Sequence, residues 1–166
     1  MGCRRCQSIS KNGSQCKNRT CVRGENCWIH LKSQKGLEVK DSNMSDSGKG
    51  LYASKPFRKN SMIEEYTGEI LNRQQLDARY DQDELAVYAI QVYNNRFIDA
   101  MDPQYSSTAR YMNDCRTAQS RAGLCGINAK IGGADRTGRI RLRATKDITA
   151  GSEIYGHYGR GYWKNR

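Results

Sequence analysis

Five of the seven cysteines, Cys3, Cys6, Cys16, Cys21 and Cys27, fall within the first 27 residues, and Cys27-Trp28-Ile29-His30 closes that stretch with one of only two histidines. A Cys-x-x-His spacing lets a thiolate and an imidazole reach the same tetrahedral Zn²⁺. The other two ligands stay open at this level: Cys3 and Cys6 form a Cys-x-x-Cys pair, and Cys16 and Cys21 are also within reach. With His30 given to a metal, His157 is the one histidine left for Ser–His or Cys–His chemistry. The sequence carries no phosphate-binding loop, no Gly-x-Ser-x-Gly elbow and no His-Glu-x-x-His motif. Gly-x-x-Gly-x-Gly at 156–161 lacks the strand–turn–helix setting of a dinucleotide site. Tyrosine is the remaining side chain in excess, with 10 Tyr against 2 Phe.

Composition bounds the scaffold for these residues. The chain has 166 residues, 37% of them hydrophobic and 27% charged, with a mean hydropathy of −0.87. That is enough for one modest core and a small appended module. No run approaches the roughly 20 apolar residues of a membrane span. Met-Gly-Cys-Arg-Arg-Cys at the start has no apolar stretch behind its charges and does not read as a secretory signal. The expected setting is therefore intracellular and reducing, where clustered cysteines point to metal before disulfides. The net charge of +11 favours anionic partners. Residues 1–35 hold eight Lys and Arg against Glu25 alone, whereas the rest holds twenty against sixteen acids. Nucleic-acid contact is accordingly expected through the basic N-terminus.

Two domains are expected. Residues 1–34 form a Cys-rich module with a turn at Asn12-Gly13, too small to fold without metal or disulfides. Residues 35–166 form the body, a succession of short β-like runs. Gly36–Lys40 and Gly50–Ala53 flank a Ser/Asp/Gly-rich turn, and Ser61–Leu71 is a third run, interrupted at Gly68. Asn72–Asp81 reads as a helix capped by Asn72. Ala86–Val92 and Arg96–Ala100 read as a hairpin around Asn94-Asn95, because Asn tolerates the positive φ of such turns. Ser107–Asn113 is expected as a short helical turn, and Ile127–Ile131, Arg139–Ala144 and Glu153–Tyr158 as strands. In the second of these strands Ile140 and Leu142 face one side and the arginines the other. The fold class is α+β, mostly β.

Gly48-Lys-Gly50-Leu-Tyr-Ala53, Tyr66-Thr-Gly68-Glu69, Ile98-Asp-Ala100, Ala109-Arg-Tyr-Met-Asn113-Asp-Cys115, Asn128-Ala-Lys and Ile148-Thr-Ala-Gly151-Ser-Glu-Ile154 leading to Tyr158-Gly159 occur in that order. The series resembles the SET domain of protein-lysine methyltransferases over residues 36–166, in its compact, viral-type form. It departs from the family where Asp114 and Cys115 stand for the usual His and Ser, where Ser152 stands for Glu, and where no cysteine cluster follows Tyr158. The segment from Arg5 to His30 resembles a short Cys–Cys–Cys–His element, which selects Cys6, Cys16, Cys27 and His30 as zinc ligands and leaves Cys3 and Cys21 as extras.

The resemblance implies several short sheets with a knot-like C-terminal threading and S-adenosylmethionine as methyl donor. The acceptor is a lysine ε-amine, which has a reference pKa near 10.4 and is almost entirely protonated at neutral pH. A narrow aromatic channel favours the neutral amine by desolvation, and tyrosines line it without adding a carboxylate. By resemblance Tyr158 is the catalytic tyrosine and Tyr66 lines the channel with Gly156; with no cysteine cluster after Tyr158, Tyr162 and Trp163 are expected to close the cofactor and substrate site. Lys49, Gly50, Leu51, Tyr88, Arg110, Asn113 and Asp114 form the cofactor side, with Arg110 and Asn113 at its methionine end. Gly156, in a position that limits methyl count by its bulk, implies open volume and more than one methyl transfer. Histone tails or nucleosomes are the expected substrate, held by the basic module and received by Glu64, Glu65 and Glu69. A chromatin enzyme works in the nucleus, the host nucleus if the protein is viral. Two other readings stay open: a non-histone protein substrate, or a basic zinc protein that binds nucleic acid through an inactive SET-like body. A homodimer is compatible with the sequence.

Overall fold

The structure is a computed structural model that describes residues 3–20, 25–45, 47–80, 86–115 and 126–158. Ten short strands and two short helices build it: β1 (Arg4–Arg5), β2 (Arg19–Thr20), α1 (Trp28–His30), β3 (Leu37–Asp41), β4 (Lys49–Ala53), β5 (Met62–Tyr66), β6 (Glu69–Leu71), α2 (Arg73–Arg79), β7 (Ala89–Tyr93), β8 (Arg96–Asp99), β9 (Ala129–Ile131) and β10 (Ile140–Ala144). A π-helical turn, Leu31–Lys35, continues α1, and a 3-10 turn spans Thr108–Tyr111. Among the described residues the strands pair antiparallel in four small sheets: β1-β2, β3-β4, β5-β10-β9 and β6-β8-β7. The mostly-β reading of the sequence holds.

Local chemistry accounts for most boundaries. Asn72 caps α2 in a reciprocal box with Gln75, and Leu76 anchors the helix against Leu71, Tyr80 and Phe97. The β7–β8 turn places Asn95 at φ 59°. The run 61–71 divides into β5 and β6 around Gly68, where a Cβ would meet the Asp99 carbonyl at less than 3.0 Å. In β10, Ile140, Leu142 and Ala144 are buried while Arg143 is exposed, as the alternation requires.

One core lies beneath the sheets, with Leu37, Leu51, Met112, Ile140, Leu142 and Ile154 fully enclosed. Burying such side chains stabilises the fold by roughly 1.5–3 kcal/mol each. Leu31 belongs to this core, so the end of the Cys-rich module packs into the body. Arg4 reaches the Gln104 carbonyl and the Tyr105 ring, and Lys35 pairs with the buried Glu64 at 2.9 Å.

The segment expected as a strand at 153–158 is instead threaded between two parts of the body. Tyr52 pairs with Glu153 on one side and Asn113 with Tyr155 on the other, each as an isolated bridge. Ile154 N–H donates to the Leu51 carbonyl and Gly156 N–H to the Asn113 carbonyl. Asn128 ties the segment a third time, accepting from Tyr155 N–H and donating to the Glu153 carbonyl. Partners that change every two residues leave no continuous ladder, and they give the knot-like C-terminal arrangement.

Candidate active site and metal centre

The Cys-rich module brings Cys6, Cys16, Cys27 and His30 together, with every ligand atom within 4.8 Å of the others. The Cys16–Cys27 sulfurs are 4.0 Å apart, and His30 Nδ1 lies 3.5 Å from Cys6 Sγ and 3.4 Å from Cys27 Sγ. A tetrahedral zinc with ordinary bond lengths has S···S edges of about 3.8 Å and S···N edges of about 3.6 Å. The spacing fits that ion, and 4.0 Å is about twice a disulfide bond. Burial raises the Cys27 thiol, but the His30 backbone N–H and the Asn18 amide outweigh it and lower its pKa to about 6, which favours the thiolate a metal requires. At Cys16 the Asn18 N–H favours the thiolate, yet burial and the neighbouring thiols leave the pKa raised. Cys3 is held in a disulfide and is no ligand, and Cys115 is also in a disulfide. The expectation that the cysteines serve metal rather than disulfides is corrected to that extent. Cys21 lies outside the described residues.

In the body, Tyr66 projects from β5 into the main core, against which Tyr158, Tyr88 and Tyr111 also pack. The Tyr66 hydroxyl donates to the Tyr88 carbonyl at 2.8 Å. Burial pushes its pKa well above that of a free phenol, and the nearby Tyr158 adds to the rise while Arg110 opposes it. Tyr66 therefore stays a neutral phenol. The Tyr158 hydroxyl donates to the Met112 carbonyl at 2.8 Å, and the Tyr158 N–H is held by the Asp114 carboxylate at 2.8 Å. Asp114, which departs from the family pattern, thus fixes the backbone of the threaded segment. Gly156 does not leave open volume: a Cβ there would lie under 3.0 Å from Met112 Sδ and Cε. The Met112 side chain occupies the space that the sequence assigned to substrate. Tyr162 and Trp163 lie outside the described residues.

Lys49, Gly50 and Asn113 are brought together, but not by backbone groups left free for a ligand. Asn113 Nδ2 donates to the Lys49 carbonyl at 3.1 Å and to Ser42 Oγ at 3.2 Å, and the Leu51 carbonyl accepts from Ile154. Gly50 is required because a Cβ would collide with the Glu153 carboxylate. The Lys49 ammonium is half exposed and pairs with Asp41 at 2.6 Å. Arg110 stands on the tyrosine side. Its guanidinium donates to the carbonyls of Ala100 and Met101 and to the Tyr111 hydroxyl, and it lies 4.4 Å from the Tyr88 ring centre. Among the described residues no hydrogen bond joins Arg110 to Lys49, Gly50 or Asn113.

Glu153 was not singled out from the sequence. Its carboxylate is buried and accepts from the Ser42 hydroxyl, the Asn43 N–H, the hydroxyls of Tyr52 and Tyr155, and Asn113 Nδ2. Burial raises its pKa, but these donors outweigh it and the net shift is downward. The available signal was an acid beside Ile154, the one carboxylate between residues 148 and 158. Of the acids expected to receive a substrate tail, Glu64 is buried against Lys35 and Thr108, and Glu69 pairs with Arg79. Neither is free for that role.

The model of the SET domain family matches residues 48–159. The chain is 24% identical over 145 residues to the histone-lysine N-methyltransferase EZH2 of Chaetomium thermophilum, covering 83% of this chain and 9% of that protein. It is 25% identical over 155 residues to human histone-lysine N-methyltransferase SETD2, covering 90% of this chain and 5% of that protein. It is 32% identical over 109 residues to the H3 lysine-4 specific histone-lysine N-methyltransferase of Yarrowia lipolytica, covering 63% of this chain and 8% of that protein. The chain thus spans less than a tenth of the length of these curated relatives. Among solved structures, the methyltransferase domain of human PR domain-containing protein 2 superposes with a TM-score of 0.56 at 21% identity, covering 78% of this chain and 81% of that one. ctPRC2 in an autoinhibited conformation bound to S-adenosylmethionine gives 0.60 at 22% identity, covering 89% and 17%.

Proposed function

The chain belongs to the SET-domain family, and from that membership we propose that it is a protein-lysine N-methyltransferase acting on histone tails in the nucleus, or in a host nucleus if the protein is viral. S-adenosylmethionine supplies an electrophilic methyl group on a sulfonium. The chain's own part is to deliver a neutral amine in line with that methyl, and orientation of this kind contributes several kcal/mol. The observation that carries the reading is that Tyr66 lies in the main core and Tyr158 packs against the same core, each hydroxyl donating to a backbone carbonyl. Tyr66 remains a neutral phenol, so this wall offers an amine no anion that would hold it as ammonium, and burial disfavours the charged form further.

On the cofactor side, the half-exposed Lys49 ammonium suits the methionine carboxylate, and Asn113, whose Nδ2 is engaged by the Lys49 carbonyl, Ser42 and Glu153, positions the Lys49 backbone. Arg110 serves as a clamp on Tyr88 and Tyr111, because three of its N–H groups are already engaged. The Cys6, Cys16, Cys27 and His30 group holds a structural zinc that folds the module against the body.

Recombinant histones incubated with labelled S-adenosylmethionine test the activity. Tyr158→Phe removes one hydroxyl and is expected to lower methyl transfer at least 100-fold with cofactor affinity and melting temperature retained. Unchanged turnover in that variant refutes the assignment. If calorimetry finds no cofactor binding, the inactive-body reading replaces this one.

A further inference from the structure

We propose that the outward face of the β5-β10-β9 sheet, with the 55–60 turn beside it, binds the phosphate backbone of duplex nucleic acid. In the Cys-rich module Arg4, Arg5 and Arg19 donate to backbone carbonyls and Lys11, Lys17 and Lys32 are exposed on separate turns, while Lys35 at the start of the body is neutralised by Glu64. The body carries a different set. Lys130 of β9 and Arg143 of β10 stand directly opposite in register and are both exposed. Like charges at such a cross-strand pair cost stability, and among the described residues neither takes part in an ion pair.

The cationic surface continues from this pair. Arg143 donates to the Asn60 carbonyl, which brings it to the turn carrying the exposed Lys55, Arg58 and Lys59. That turn is pinned to the end of β10, Asn60 N–H donating to the Ala144 carbonyl and Lys59 N–H to Asp147. Lys146, also exposed, follows in the same stretch with Nζ beside Gly126. Lys55, Arg58, Lys59, Lys130, Arg143 and Lys146 outnumber the carboxylates on this side, which are Asp147, Glu65 (on the outward face through its pairing with Arg141) and Asp135 (already held by Arg141). A protein partner would call for an aromatic, charge-poor interface centre, whereas Met62 is the large apolar side chain exposed here. Single strands bind by base stacking on aromatic rings, and this surface presents none. A polyanion with closely and regularly spaced charge, such as the duplex backbone, fits it and relieves the Lys130–Arg143 repulsion.

The test does not involve methyl transfer, so its failure is separate from failure of the enzymatic reading. Fluorescence anisotropy of a labelled 20-base-pair duplex is followed against the full chain from 50 to 200 mM salt. The variant K130Q/R143Q/K146Q should weaken binding at least tenfold at 50 mM, and it should flatten the slope of log K against log salt by about 2.7, three phosphate contacts at 0.9 each. R58Q/K59Q should flatten it by about 1.8, and K11Q/K17Q in the module should leave it nearly unchanged. Lys130→Gln alone should raise the melting temperature of the free protein at low salt. The proposal is overturned if the triple variant keeps both affinity and slope, or if the loss appears in the module variant instead. It is equally overturned if a single-stranded oligonucleotide or polyglutamate binds as tightly as the duplex.

Discussion

Replacing Gly156 by alanine adds one methyl group at a point where Met112 Sδ and Cε would lie closer than 3.0 Å. A thioether is flexible, but Met112 is 1% exposed and enclosed by the main core, so it has nowhere to swing. Overpacking of this kind costs about 1–3 kcal/mol. Met112→Ala is expected to cost about 2–5 kcal/mol through lost burial and the cavity left behind. The double variant should be more stable than the sum of the singles predicts, by about 1–2 kcal/mol, because the alanine methyl enters the space the thioether leaves. Urea denaturation of the four proteins yields the coupling. Mass spectrometry of a methylated histone peptide yields the functional counterpart: Met112→Ala widens the region beside the Tyr158 hydroxyl and should raise the share of higher methylation states, and adding Gly156→Ala should reverse that. Additivity within about 0.5 kcal/mol would refute the claim that Met112 fills the glycine's space. A product distribution indifferent to both changes would refute its link to the channel.

Glu153→Ala leaves five donors without their acceptor and should destabilise the protein by about 3–5 kcal/mol, with Glu153→Gln losing about half as much. Its folded pKa lies below the usual 4.5, so its stabilising effect is complete above pH 4.5 and is lost as the pH falls through the lower folded value. A melting-temperature profile from pH 7 to 3 should therefore be flatter at the acid end for the Gln variant than for the wild type. Stripping the Cys-rich module with a strong chelator should release one zinc per chain by colorimetric titration and lower the melting temperature, with Cys27→Ser already metal-poor before treatment; a metal-free protein of unchanged stability would contradict this.

Sequence alone determined the features that depend on near neighbours or on a fixed period. The Asn72 cap, the Asn95 turn and the two-faced β10 are local chemistry, and each appears in the fold. The order of short motifs was enough to indicate the family, and the spacing around Cys27 and His30 was enough to indicate a metal group. Tertiary structure decided what distant segments do to one another. Threading of residues 152–158 between β4 and Asn113 cannot be read from an isolated Glu153–Tyr158 run, which looks like a strand because its periodicity carries no information about its partners. The same threading turns Glu153 into a hub, takes up the Leu51 carbonyl and fills the space beside Gly156 with Met112 from 44 positions earlier. Charge followed this division as well: the sequence could count cations, but only the strand register placed Lys130 opposite Arg143 on one sheet face.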